Sequence, residues 1–116
     1  MHRPNPPMNV WSSWYPFPDP NSGGFLFAPF GPGVYELHNR ATGELVNCGQ
    51  SKYLAKRMTS LLPSNAGGSG TRNNHDLREY ILYNINGIEY RTRACADKKT
   101  AQEEKAKMQR YNKYLF

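Results

Sequence analysis

Apolar and polar residues alternate from Ile88 to Cys95: Ile88, Tyr90, Thr92 and Ala94 fall on one side, Glu89, Arg91, Arg93 and Cys95 on the other. A period of two marks a strand with one buried face. Two shorter runs, Val34 to His38 and Glu44 to Cys48, can each form a strand. Between them Asn39-Arg40-Ala41-Thr42-Gly43 carries the Asn and Gly that hairpin loops favour. The pattern predicts a small three-stranded, mostly antiparallel sheet.

Helical spacing appears in three places. Leu54, Met58, Leu61 and Leu62 recur at i, i+4, i+7 and i+8 behind Ser51, which reads as an N-cap, and Pro63 ends the run. Leu77, Tyr80, Ile81 and Ile85 predict a second helix, capped by Asn73 or Asn74, with Asp76 in its first turn and Asn86-Gly87 as the stop. In the third, Asp97 or Thr100 is the cap, and Ala101, Glu104, Met108, Tyr111 and Leu115 fall on one face. Glu104 is thus an acid within an apolar stripe and needs a partner, because a carboxylate is costly to bury alone. A salt bridge to Arg57 or a lysine can supply it. The fold class expected is α+β, three helices packed with the sheet.

Residues 1–31 form a separate Pro/aromatic-rich arm, with Trp11, Trp14, Tyr15, Phe17, Phe25, Phe27 and Phe30 among prolines, and residues 32–116 form the domain. Proline at this density excludes a long helix or a central strand, so the arm is expected to be irregular. Its aromatic content predicts that Trp11 to Phe30 lies across the domain and buries rings; a base-stacking platform or a dimer arm is the sharper reading. Between the first two helices, 63–72 reads as a Gly/Ser-rich loop.

Charge changes the picture. Residues 1–50 hold two basic and three acidic residues, whereas 51–116 hold thirteen and six. A basic half-chain favours a polyanion such as nucleic acid, and a merely solvated basic surface is the plain alternative. Cys48 and Cys95 stand apart from any CxxC or zinc-spaced cluster, which suits a reduced, cytoplasmic protein. Neither a secretory leader nor a membrane span is expected.

The order Gly33-Val34-Tyr35, hairpin, a strand ending in Gly49, then a helix bearing Arg57 ten residues after Asn47, resembles the GIY-YIG nuclease superfamily. The likeness runs from Gly33 to Phe116. It implies a GIY-YIG-like fold and a divalent-metal-dependent DNA endonuclease, with Tyr35, Arg57 and Glu104 as catalytic residues converging on one cleft. By the same resemblance Glu104 holds Mg2+ or Mn2+, Tyr35 helps position or deprotonate the attacking water, and Arg57 clamps the scissile phosphate. Lys52, Lys56, Arg72 and Asn74 would contact DNA with little sequence preference. Double-strand cleavage would need a homodimer or two successive encounters.

Asn47 stands where the family has its second tyrosine, and Leu61 where many members have a histidine. These departures keep a second reading open, a catalytically weak or inactive module of the same fold that binds nucleic acid or a protein.

Overall fold

The computed structural model describes residues 9–19, 26–61 and 75–116. Along them run β1 (Tyr15–Pro16), β2 (Gly33–Asn39), β3 (Leu45–Ser51), α1 (Leu54–Thr59), α2 (His75–Tyr83), β4 (Ile88–Ala94) and α3 (Lys98–Tyr111). The strands form one sheet in the order β1-β4-β2-β3, and every neighbouring pair is antiparallel. The class is α+β with three helices, as the patterns predict, but the sheet has four strands rather than three. The added strand comes from the proline-rich arm, where Tyr15 pairs with Tyr90 and Pro16 with Glu89. Proline lacks a donor, so it is tolerated only at a sheet edge, and here it covers an edge of β4 that would otherwise be open.

β2 is central, and six of its seven residues are buried. Tyr35 and Leu37 join Leu54, Met58 and Leu61, Leu77 and Ile81 of α2, Ile88 and Tyr90 of β4, and Phe17 of the arm. Val34 instead meets Cys48, Cys95, and Ala101 and Met108 of α3. Successive side chains of a strand point to opposite faces. Thus α1 and α2 cover one face of the sheet and α3 covers the other.

A central strand with both faces covered must satisfy every polar side chain it carries. Asn39 Oδ1 accepts from the Ala41 N–H at 3.0 Å while its Nδ2 donates to the Tyr80 hydroxyl at 3.1 Å, tying the hairpin to α2. Glu36, 3 % exposed, accepts from Arg91 Nε and Nη2 at 3.0 and 2.7 Å and from the Tyr114 hydroxyl. The turn after β2 needs positive φ at Gly43, +77°, which glycine adopts without a Cβ penalty.

Three local expectations are corrected. Ser51 is the last residue of β3 and does not cap α1; its Oγ accepts from the Tyr53 N–H, and Tyr53 holds the cap position without a side-chain bond. The first amides of α1 are satisfied from the arm instead, Leu54 N–H by the Gly31 carbonyl and Ala55 N–H by that of Pro29. Helix α3 is capped by Asp97, which accepts from the Thr100 N–H, but it stops at Tyr111 because Asn112 is extended. Leu115 therefore leaves the helical stripe, its N–H and that of Phe116 pairing with the Leu45 and Val46 carbonyls along β3, and Tyr111 is exposed. Leu62, Pro63, the loop 63–72, the caps Asn73 and Asn74, and the site candidates Arg72 and Asn74 lie outside the described residues. Among the described residues no helix is long and apolar enough to cross a membrane.

Candidate functional site

Tyr35 occupies the α1 face of the sheet, 3 % exposed, with its ring laid across the neighbouring strand. A Cβ added at Gly49 would come within 2.4 Å of that ring, so the second motif glycine is needed for the tyrosine to lie there. Gly33 has a similar cause: a Cβ there would sit 2.7 Å from the Arg93 carbonyl oxygen and 3.0 Å from Leu54 Cδ2. Its absence lets β4 and α1 close on the start of β2.

The Tyr35 hydroxyl donates to Asn47 Oδ1 at 2.8 Å, and Asn47 Nδ2 donates to the Phe116 carbonyl at 3.1 Å. Asn47 therefore holds the phenol in place. Burial pushes the Tyr35 phenol well above its ordinary range, although the nearby Arg57 guanidinium pulls the other way. At neutral pH the phenol is protonated and donates to Asn47.

On α1 the buried positions are Leu54 and Met58, which leaves Lys52, Tyr53, Lys56 and Arg57 exposed. Arg57 is thus beside Tyr35 electrostatically and open to solvent. Among the described residues, none of Lys52, Lys56 and Arg57 enters an ion pair.

Glu104 is elsewhere. Ala101 and Met108 of its helix are buried against Val34 and Cys48, and the Glu104 carboxylate meets Arg93, a residue paired with Val34 across the sheet. Lys107 Nζ lies 3.7 Å from its other oxygen. The expected convergence of Tyr35, Arg57 and Glu104 on one cleft is not found: Tyr35 and Arg57 share one face, and Glu104 lies on the other. Strand alternation is the reason, since Tyr35 must face away from Val34 and α3 packs on the Val34 side. The partner that the acid required is Arg93, with Lys107 in support.

The fit of Glu104 to a divalent ion is poor. One carboxylate oxygen is bound by a guanidinium and the other lies near an ammonium, where a second cation would be repelled. Among the described residues no group of three His, Cys, Asp or Glu side chains could hold a metal. Cys48 and Cys95 are free and buried, and burial raises both thiols, so neither is an activated nucleophile.

The α3 face of β4 contains groups whose pairing the sequence reading missed. Arg91 lies under two tryptophans, its guanidinium carbon 4.3 Å from the Trp11 ring centre and 4.7 Å from that of Trp14, and Arg93 lies 5.0 Å from Trp11. Trp14 also stacks on His38 at 3.7 Å, and His38 Nε2 is 2.7 Å from Glu89. The alternation Glu89, Arg91, Arg93 was the available signal, but it marks a solvated face equally well. The unusual density of aromatics upstream indicates what covers it: the arm's tryptophans stack on those arginines. No family model, curated protein or solved structure matches the chain.

Proposed function

We propose that this chain is a non-catalytic nucleic-acid-binding module built on a GIY-YIG-like arrangement. The observation that carries the reading is the commitment of Glu104 to Arg93 on the face away from Tyr35 and Arg57. A hydrolytic site needs a carboxylate free to hold a metal beside the phosphate clamp, and this one is neutralised by a cation and set behind the sheet. What is left on the Tyr35 face is a surface for phosphates. Lys52, Lys56 and Arg57 stand exposed on or beside α1, which has no acid in its first turn. Arg57 offers a planar fork of donors suited to a phosphate oxygen pair, with the two lysines as point charges alongside.

The test is binding of labelled DNA of mixed sequence at increasing salt. Affinity should fall linearly on logarithmic axes and differ little between sequences, because phosphates dominate the contact. The triple variant Lys52→Glu, Lys56→Glu, Arg57→Glu should lose most of the affinity and flatten the salt slope by about 2 to 3, roughly one phosphate per cation removed. Binding that is flat with salt, or unaffected by the triple variant, would reject the reading.

A further inference from the structure

Several rings are exposed among the described residues, Tyr83 and Tyr111 among them, but Phe30 and Tyr53 are carried by two segments that hydrogen-bond to each other. From the arm, Phe17 is buried, Trp11 and Trp14 are stacked on Arg91, and Tyr15 packs near Tyr90 at 5.8 Å between ring centres. Phe30 is 81 % exposed and Tyr53 is 56 % exposed. Exposing a large ring forfeits the hydrophobic gain of burying it, and exposed rings carried by neighbouring segments beside cations make a candidate contact surface.

The backbone brings the two together. Phe30 lies between Pro29 and Gly31, whose carbonyls accept from the Ala55 and Leu54 N–H groups at 2.9 and 3.1 Å, and Tyr53 directly precedes Leu54. The rings thus project from two segments joined by these hydrogen bonds at the start of α1. Cations surround them: Lys52 Nζ is 5.6 Å from the Tyr53 ring centre, and Lys56 and Arg57 are exposed on the following turn.

We infer that Phe30 and Tyr53 form a base-stacking platform, and that the polyanion taken by this surface is single-stranded nucleic acid. The inference rests on the nucleic-acid reading above and adds the strandedness of the ligand. Exposed aromatic rings beside cations that enter no ion pair among the described residues match the two things a single strand presents, the flat faces of unstacked bases and a row of phosphates. A duplex hides its base faces in its own stack and offers only the phosphates. A protein partner would match the apolar rings but not the lysines, which are depleted at the centres of protein interfaces. The tryptophans of the arm, the sequence's first candidates for stacking, are occupied by arginine and histidine. Phe30, from the end of the same stretch, is exposed.

The experiment compares the full chain binding a short labelled oligothymidylate and a duplex of equal length at low salt, by fluorescence anisotropy. The wild type should prefer the single strand by about tenfold or more, and Phe30→Ala with Tyr53→Ala together should reduce that affinity by roughly ten- to a hundredfold with the duplex affinity unchanged. Phe30→Tyr and Tyr53→Phe keep a ring at each place and should bind as the wild type does. Both positions are exposed, so an unchanged thermal melt is expected and serves as the check on folding. Equal affinity for the two forms, or single-strand binding indifferent to loss of both rings, overturns the platform and leaves the nucleic-acid reading standing. No binding of either form at low salt overturns both, and a shift to a dimer by sedimentation that is lost on removing the rings would assign the patch to a second copy of the chain.

Discussion

Tyr35 and Glu104 are turned to opposite faces of the same sheet, the phenol donating to Asn47 and the carboxylate bound to Arg93. Each is therefore part of a different local network, and the sheet separates their chemistry. On the Tyr35 side a buried donor, a glycine-dependent ring position and exposed cations lie together, the surface proposed here for phosphates. On the Glu104 side ion pairs, stacked tryptophans and α3 form a closed structural layer.

If that layer is structural, Glu104→Gln should destabilise the protein. The two side chains are 24 % and 18 % exposed, so the cost should fall below that of a fully buried pair, at about 1 to 3 kcal/mol. Urea denaturation measures it through the midpoint at constant slope. Arg93→Met should cost a similar amount, and the double variant less than the two together, since the unpaired charge is removed. A carboxylate held ready for a metal would give the opposite sign, with stability unchanged or raised.

The contact between Tyr35 and Gly49 predicts a second result. Gly49→Ala places a methyl 2.4 Å from a buried ring on the central strand, where neither backbone can yield easily. A loss of about 1 to 3 kcal/mol is expected, with non-additive rescue when Tyr35→Leu removes the ring. Gly31, whose Cβ would meet nothing within 4 Å, is the control and should accept alanine with little change.

Alkaline titration tests the environment of the phenol. The Tyr35 phenol is raised by burial, and Tyr114 is raised by burial and then by its hydrogen bond to Glu36. The folded chain therefore keeps protons that the unfolded chain releases near pH 10. The stabilisation is whole below that value and is lost as pH rises above it. Denaturation midpoints should begin to fall near pH 9, where the buried thiols of Cys48 and Cys95 contribute, and fall further beyond pH 10, and Tyr35→Phe should shrink the later part of the fall. A midpoint level through that range would contradict the burial of the phenol.

Much of the chain's architecture was legible because periodicity reports burial directly. The alternation of 88–95 became β4, and the stripe of Leu54 and Met58 became α1. The arm was less legible: Tyr15 and Pro16 carry no strand pattern, and only the open edge of β4 gives them a partner. Ser51 had the chemistry of a cap, but the amides of α1 were met by carbonyls from Pro29 and Gly31, a long-range pairing that leaves no local trace. Spacing placed Glu104 on the inner side of its helix correctly. It did not say which sheet face that helix covers, and this decides between metal ligand and ion pair. Phe30 and Tyr53 were invisible as a pair because they are distant in sequence and close only through two backbone hydrogen bonds.

The most direct measurement is a nicking assay on supercoiled DNA with Mg2+ or Mn2+, run beside a binding assay on the same preparation. The account predicts salt-sensitive binding with no metal-dependent nicks, and no difference in cutting between the wild type and Glu104→Gln. Nicking that needs the metal, stops with EDTA and disappears in a folded Glu104→Gln variant would contradict it, because Glu104 would then have to leave Arg93 and act at the phosphate.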